Sequence, residues 1–437
     1  ALAATLLASG ALGGALAQEA PDPETVLKQF VVKGDNKVRP LPKIALQPSL
    51  ATNDEDVTLR SVIRRDLDLC GEFEVLPDSA APDKLYLSDT PVDVKAWRAK
   101  GAEAVVKVSG TKRPDGKVQL NGVAYFVSAG AKPVFDKSIV VDASRVRAES
   151  PRVADALIGA LTGTPGGFSS QMTFIYGAGK ARRAYTMDAD GHDPRAVSSD
   201  DQLALAPAFG PKQRLYYAAS VKKDAFRVFS PGSSTPLTLP VRGSVYGIAF
   251  SRHRDRVALA IARGAGIQLF TGPNFTDLTR MGNNNMVLHP AFTPSGKVAY
   301  SGEGKWGQRV FVAGKAISPA GVHASAPTFC RHPDGVRAVY AVGVGKNTDL
   351  VASTETGGSM VRLTQNMGRN NYPACSPDGR LVAFFSTRTR GQGPGLYIMR
   401  IDGTRPKRIS TLVGDSLRWA PLPTTNQPAA KARAASH

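Results

Sequence analysis

Hydrophobic spacing changes character partway along the chain. Lys43-Ile44-Ala45-Leu46 has the length and composition of a short strand. Val57 to Leu69 follows Asp54, Glu55 and Asp56, acidic residues suited to a helix N-terminus, and predicts a helix. Alternating runs at Ala104–Val108, Val118–Phe126 and Pro133–Val141 predict strands. Ala154, Leu157, Ile158 and Leu161 fall at helical spacing ahead of Gly163, a C-terminal cap. Residues 43–163 therefore read as an α/β domain. Thr164-Pro165-Gly166-Gly167 opens a linker, residues 164–171.

From Met172 onward strands and turns take over, and the pattern repeats. Phe209, Phe250, Phe292, Phe329, Cys375 and Trp419 share one register, at intervals of 37 to 46 residues. That period matches the ~40–45 residues of a four-stranded propeller blade, and six registers mean six blades over residues 172–423. Trp419 opens a sixth blade just before the chain ends, whereas Met172 to Ser198 supplies strands with no inner strand before them. The expectation is a ring closed by the C-terminal strand joining those N-terminal ones, which leaves no open sheet edge. The fold class is thus an α/β domain followed by an all-β six-bladed β-propeller. A disordered tail, residues 424–437, is expected after it.

Residues 1–17 carry no charge and end in Ala15-Leu16-Ala17, a small-x-small cleavage pattern before Gln18. They read as a signal peptide begun a few residues late, and place the mature protein outside the cytoplasm. The 437 residues hold 55 Lys plus Arg against 36 Asp plus Glu. Residues 18–167 balance at zero, so the whole net charge of +19 lies on the propeller region. An anionic partner of the propeller, or plain solubility, accounts for it. Nucleic acid does not, because export and the lack of any recognition element argue against it. Three cysteines, Cys70, Cys330 and Cys375, leave at least one unpaired. No disulfide framework is expected, and Cys375, in an aromatic's register, reads as a small buried hydrophobe.

Catalytic and cofactor motifs fail on context. Gly302-x-Gly304-x-x-Gly307 is followed by the strand Arg309–Val312 rather than a helix, and reads as a hairpin turn. Asp188-x-Asp190-Gly191-x-Asp193 has its Gly too early for a calcium loop and reads as a turn. The six histidines form no close metal pair, and no Gly-x-Ser-x-Gly elbow exists. No catalytic, cofactor or metal residue is assigned.

Ser376-Pro377-Asp378-Gly379-Arg380-Leu381-Val382-Ala383-Phe384 and Leu396-Tyr397-Ile398-Met399-Arg400-Ile401-Asp402-Gly403, set after an export signal and an α/β domain, closely resemble the TolB family, the periplasmic component of the Tol-Pal system. Ile63-Arg64-Arg65-Asp66-Leu67, Ala96-Trp97-Arg98-Ala99-Lys100-Gly101-Ala102 and Ala160–Phe168 resemble that family's own segments. The resemblance implies a non-enzymatic, monomeric periplasmic adaptor serving outer-membrane integrity and envelope constriction at division. It implies binding of the lipoprotein Pal through the propeller mouth and of TolA through a flexible N-terminal arm, residues 18–42, with other outer-membrane or peptidoglycan-associated proteins as further partners. In the arm the candidates are Gln18, Glu19, Pro21, Glu24 and Lys28. Repeat register places Tyr246, His289, Ser325, Asn370, Asn371, Tyr372, Asp415 and Ser416 at the mouth, just before each inner strand, with Tyr246 and Tyr372 as anchors. Blades two to four depart from Ser-Pro-Asp-Gly, with Ser251-Arg252-His253-Arg254-Asp255, Thr293-Pro294-Ser295-Gly296 and Cys330-Arg331-His332-Pro333-Asp334-Gly335. The competing readings are an exported propeller enzyme, which needs clustered His and acidic groups in the channel, and a cell-wall or carbohydrate-binding module, which needs aromatic platforms.

Overall fold

A computed structural model describes residues 21–30, 40–51, 53–82, 90–222 and 224–422. The signal peptide, Gln18, Glu19 and the tail 424–437 lie outside the described residues. Among the described residues no helix is long and apolar enough to cross a membrane.

The first element is helix α1 (Pro23–Phe30), inside the stretch expected to be a flexible arm. Asp22 caps it, its carboxylate accepting the Thr25 N–H and hydroxyl at 3.0 and 2.7 Å, and Pro23 occupies the first helical position, where a missing N–H costs nothing. Its apolar face is why it is seated. Val26 and Leu27, 7% and 1% exposed, pack on Val310, Val312, Val322 and Tyr340 between two propeller blades.

The α/β domain follows. Strands β1 (Lys43–Leu46), β2 (Glu74–Val75) and β3 (Ala104–Lys112) run parallel, and β4 (Lys117–Phe126) and β5 (Phe135–Asp142) complete a sheet in the order β2-β1-β3-β4-β5. Helices α2 (Asp54–Leu69) and α4 (Val146–Thr162) cover one face. Asn53 caps α2 by accepting the Asp56 N–H, and Gly163, at φ +83°, ends α4 as expected. The other face is closed by α3 (Val94–Ala99), a helix too short for its periodicity to show, which buries Trp97 against Leu76, Val92 and Val105.

Residues 164–171, read as a linker, are strapped to α4. The Asp155 carboxylate accepts the N–H groups of Phe168 and Ser169, both at 2.8 Å, and a side chain on Gly166 would lie 2.6 Å from Asp155 Oδ1. Burial outweighs these hydrogen bonds and raises Asp155 to about 6.

Six antiparallel sheets form the propeller. Their inner strands are Gln202–Phe209, Ser244–Phe250, Leu288–Phe292, Ala324–His332, Asn370–Cys375 and Asp415–Trp419, for blades 1 to 6. Ring closure occurs as expected: Asp415–Trp419 pairs with Gln171–Tyr176, which continues into Arg183–Asp188 and Arg195–Ala196. Blade 1 has three strands rather than four, because Pro236 and Pro240 lack the N–H donors that an outer strand would need. Gly304 pairs with Gly307 in the expected hairpin, and Asp188–His192 is the expected turn.

One expectation is overturned. Cys375 is not a lone buried hydrophobe; it forms a disulfide with Cys330, tying the inner strands of blades 4 and 5. The repeat register hid this pairing, since the two residues stand one position apart in it, yet adjacent inner strands bring their Cα atoms to 5.2 Å. Cys70 is the free, buried cysteine.

The α/β domain rests on the turns of blades 5 and 6. Arg147 meets Asp190 at 2.5 Å, Arg65 donates to the Asp190 carbonyl at 2.6 Å, Lys407 pairs with Asp68 at 2.6 Å, and Arg400 donates to the Gly71 carbonyl at 2.7 Å.

Candidate functional site

Each inner strand slips register once, near its start in blades 2 to 6 and past its middle, at Ala206, in blade 1. These are β-bulges, which re-aim a side chain. In five blades the bulged residue is left-handed without being glycine: Ala206, His289, Ala326, Tyr372 and Ser416, with φ between +48° and +55°. Such strain persists only where the surroundings impose it and clusters at functional positions. Tyr246 holds the equivalent place in blade 2.

The mouth candidates thus lie within the inner strands, at or beside bulges, rather than just before them, and they separate into distinct environments. His289 and Tyr372, from blades 3 and 5, meet edge to face at 5.9 Å across the channel. Ser301 Oγ accepts the Ala326 N–H at 3.0 Å and lies 3.2 Å from His289 Nδ1, within hydrogen-bond distance. Burial, with Arg418 and His323 nearby, holds His289 down to about 4. Beside them Asp415 pairs with Arg182 at 2.9 Å and accepts the Ser416 hydroxyl, and burial raises its pKa. Burial, then Asp415, raises that of Tyr372.

Asn370 has no exposed surface. Its amide donates to the Thr348 carbonyl and its oxygen accepts the Ser386 hydroxyl, so it holds the loop tops together. Ser386 in turn accepts from Arg388, whose guanidinium lies 4.0 Å from the Tyr397 ring centroid. Asn371 and Ser325 are half-buried, and it is Ala326, one residue past Ser325, that shares the bulge position of His289 and Tyr372.

Tyr246 is 39% exposed and packs on Phe226. It has company that the repeat did not reveal. Among the described residues, the propeller's large exposed apolar side chains are Tyr176, Tyr246, Met286, Met367 and Val413. All five lie at the end where the inner strands begin: Met286, Met367 and Val413 just precede inner strands, and Tyr176 follows Ile175, the partner of Asp415. Loop residues escaped the sequence reading because they obey no repeat register; a scan for exposed Met ahead of each inner strand finds two of them.

In the arm, Pro21 touches Gly321, and Glu24 pairs with Arg362 at 2.8 Å, which lowers its pKa. Arg362 also holds the buried Asp349 at 2.5 Å. Lys28 is exposed. Among the described residues no three His, Cys, Asp or Glu side chains gather as metal ligands would.

Residues 31–130 match the TolB amino-terminal domain family. That stretch of the chain is similar to the amino-terminal domain of TolB proteins. It is 30% identical over 169 residues to the Tol-Pal system protein TolB of Thiobacillus denitrificans, covering 38% of this chain and 39% of that one. With the Tol-Pal system protein TolB of Dinoroseobacter shibae it shares 29% identity over 219 residues, 48% of each chain. The chain therefore spans about half the length of these curated relatives or less. The crystal structure of TolB from Acinetobacter baumannii has the same fold, with a TM-score of 0.70 at 21% identity over 88% of this chain and 97% of that one.

Proposed function

We propose that this chain is a periplasmic protein-binding adaptor of a Tol-Pal system, with no catalytic role, that takes Pal on the propeller mouth and TolA on its N-terminal arm. The observation that carries the reading is the gathering of Tyr176, Tyr246, Met286, Met367 and Val413 at one face. Exposed apolar side chains grouped on one face mark protein interfaces, and methionine and tyrosine adapt to a partner's contours at modest entropic cost. The strained ring of His289, Tyr372 and Ser416 forms the floor of that face.

The arm fits a second, weaker contact. Its apolar residues Val26 and Leu27 are occupied by the propeller groove, so a TolA domain that uses them must draw α1 away. The test is calorimetric titration of the chain from Gln18 with the soluble Pal domain of the same organism, repeated with Tyr246→Ala. Saturable binding, weakened at least about tenfold by loss of the exposed ring, is expected. No binding at any ionic strength overturns the assignment.

A further inference from the structure

The propeller channel widens at the end opposite the mouth into a funnel of about 390 Å³. Its wall is the repeat register itself, with Phe209, Phe250, Phe292, Phe329 and Trp419 from blades 1 to 4 and 6 and Cys375 from blade 5. Two residues past this register a blade ordinarily carries proline, as at Pro294, Pro377 and Pro421. In blades 2 and 4 that position is Arg252 and Arg331, and Arg254 follows from the same irregular turn. The departures from Ser-Pro-Asp-Gly therefore have a joint result: they turn guanidinium groups into one cavity.

Arg418 is the fourth. It reaches across from blade 6 and donates to the Pro290 carbonyl of blade 3 at 3.3 Å, forming the funnel floor. No Asp or Glu lines the space, and none of the four arginines forms an ion pair among the described residues. The carboxylates of the neighbouring turns are engaged elsewhere: Asp255 by the Ser251 hydroxyl, Asp378 by Ser376 and the Arg380 N–H, Glu355 by Lys297. Arg254 Nε is buried without a hydrogen-bond partner. Burial brings both Arg254 and Arg418 down to about 10, the signature of cations removed from water with no counter-charge. Gathering uncompensated guanidinium groups is costly unless an anion completes the site.

We infer that this funnel binds a small organic or inorganic oxyanion, a multiply charged carboxylate or a phosphate, held by Arg252, Arg254, Arg331 and Arg418 against aromatic walls. Guanidinium forks match both oxyanions geometrically. The site lies on the α/β side of the channel, since Pro377 on its rim lies against Gly167 of the strapped linker, and only its floor residue Arg418 approaches His289 of the mouth.

The experiment is isothermal titration of the chain from Gln18 with citrate and, separately, with inorganic phosphate, at ionic strength matched with sodium chloride. It is repeated for Arg254→Gln, for Arg331→Gln, and for Arg263→Gln, a hairpin arginine away from the funnel. Saturable binding of either probe at one site, weakened about tenfold or more by Arg254→Gln and Arg331→Gln and unchanged by Arg263→Gln, is expected. Preference between the probes assigns the ligand to carboxylates or to phosphates. No saturable heat from either probe, or equal weakening by Arg263→Gln, overturns the proposal. So does binding of a polyglutamate peptide alone, which makes the funnel a protein-docking surface instead. Circular dichroism confirms the fold of each variant, and the failure of this site leaves the Pal titration unaffected.

Discussion

Reduction of the Cys330–Cys375 bond tests how the ring is held. The two residues are 45 apart in sequence, and both belong to inner strands that pack side by side around the channel. Closing a loop of that length removes denatured-state entropy worth about 4 kcal/mol at 25 °C. Residual structure in the unfolded chain erodes the gain, so about 2–4 kcal/mol is the expected loss. Urea unfolding followed by tryptophan fluorescence, with and without a phosphine reductant, reads it. The reduced protein is expected to unfold about 1 M earlier in urea, given typical slopes. Reduction keeps both sulfur atoms in the core, whereas a Cys330→Ala, Cys375→Ala double variant also loses packing and falls somewhat further. Thiol titration of the denatured, unreduced chain is expected to find Cys70 alone. Three titrating thiols, or an unfolding midpoint indifferent to reductant, refute the reasoning.

Leu27→Ala removes most of the side chain that seats α1, and full burial of a leucine is worth about 1.5–3 kcal/mol, so undocking is expected to become about ten- to a hundredfold more frequent. Hydrogen exchange reads this as faster amide exchange confined to α1, and slowed or unchanged exchange there sinks the idea. Asp66 is fully buried, neither carboxyl oxygen has a hydrogen-bond partner, and burial together with Asp190 and Asp155 raises its pKa well above 3.8. Its folded form holds a proton that the unfolded form releases, so its contribution to stability is complete below about pH 3.8 and declines as pH rises through the raised value. Asp66→Asn is therefore expected to raise the melting temperature at pH 7 and not at pH 3.5, and equal changes at both pH values count against it.

The ring was legible because six blades repeat one register, and Asp415–Trp419 had an obvious missing partner in Gln171–Tyr176. The α/β domain was legible because α2 and α4 are long enough to show a period, while α3, at six residues, shows none. The mouth was only half legible. Register located Tyr246, His289 and Tyr372 but could not tell a fully buried Asn370 from a half-buried Asn371, because adjacent residues of one strand face opposite ways. Arg252, Arg254 and Arg331 looked like decay of a motif; only the closing of the ring brings them to one cavity. The disulfide escaped for the opposite reason, since reading Cys375 as a degraded aromatic explained it too early. Its presence fits an oxidising compartment, in keeping with the expected export signal.

The sheet of blade 6 joins strands made more than two hundred residues apart. During synthesis Gln171–Tyr176 leaves the ribosome long before Asp415–Trp419 exists, and the edge meant for it stays unpaired meanwhile. The turns on which the α/β domain rests belong to blades 5 and 6, so that domain also waits for Arg400 and Lys407 near the end of the chain before it can settle. The final turn of the ring thus works as a completion checkpoint. A chain cut short before Asp415 keeps a bare strand edge, and one cut before Arg400 an unseated domain as well, marks by which a protease or chaperone can tell it from the finished protein.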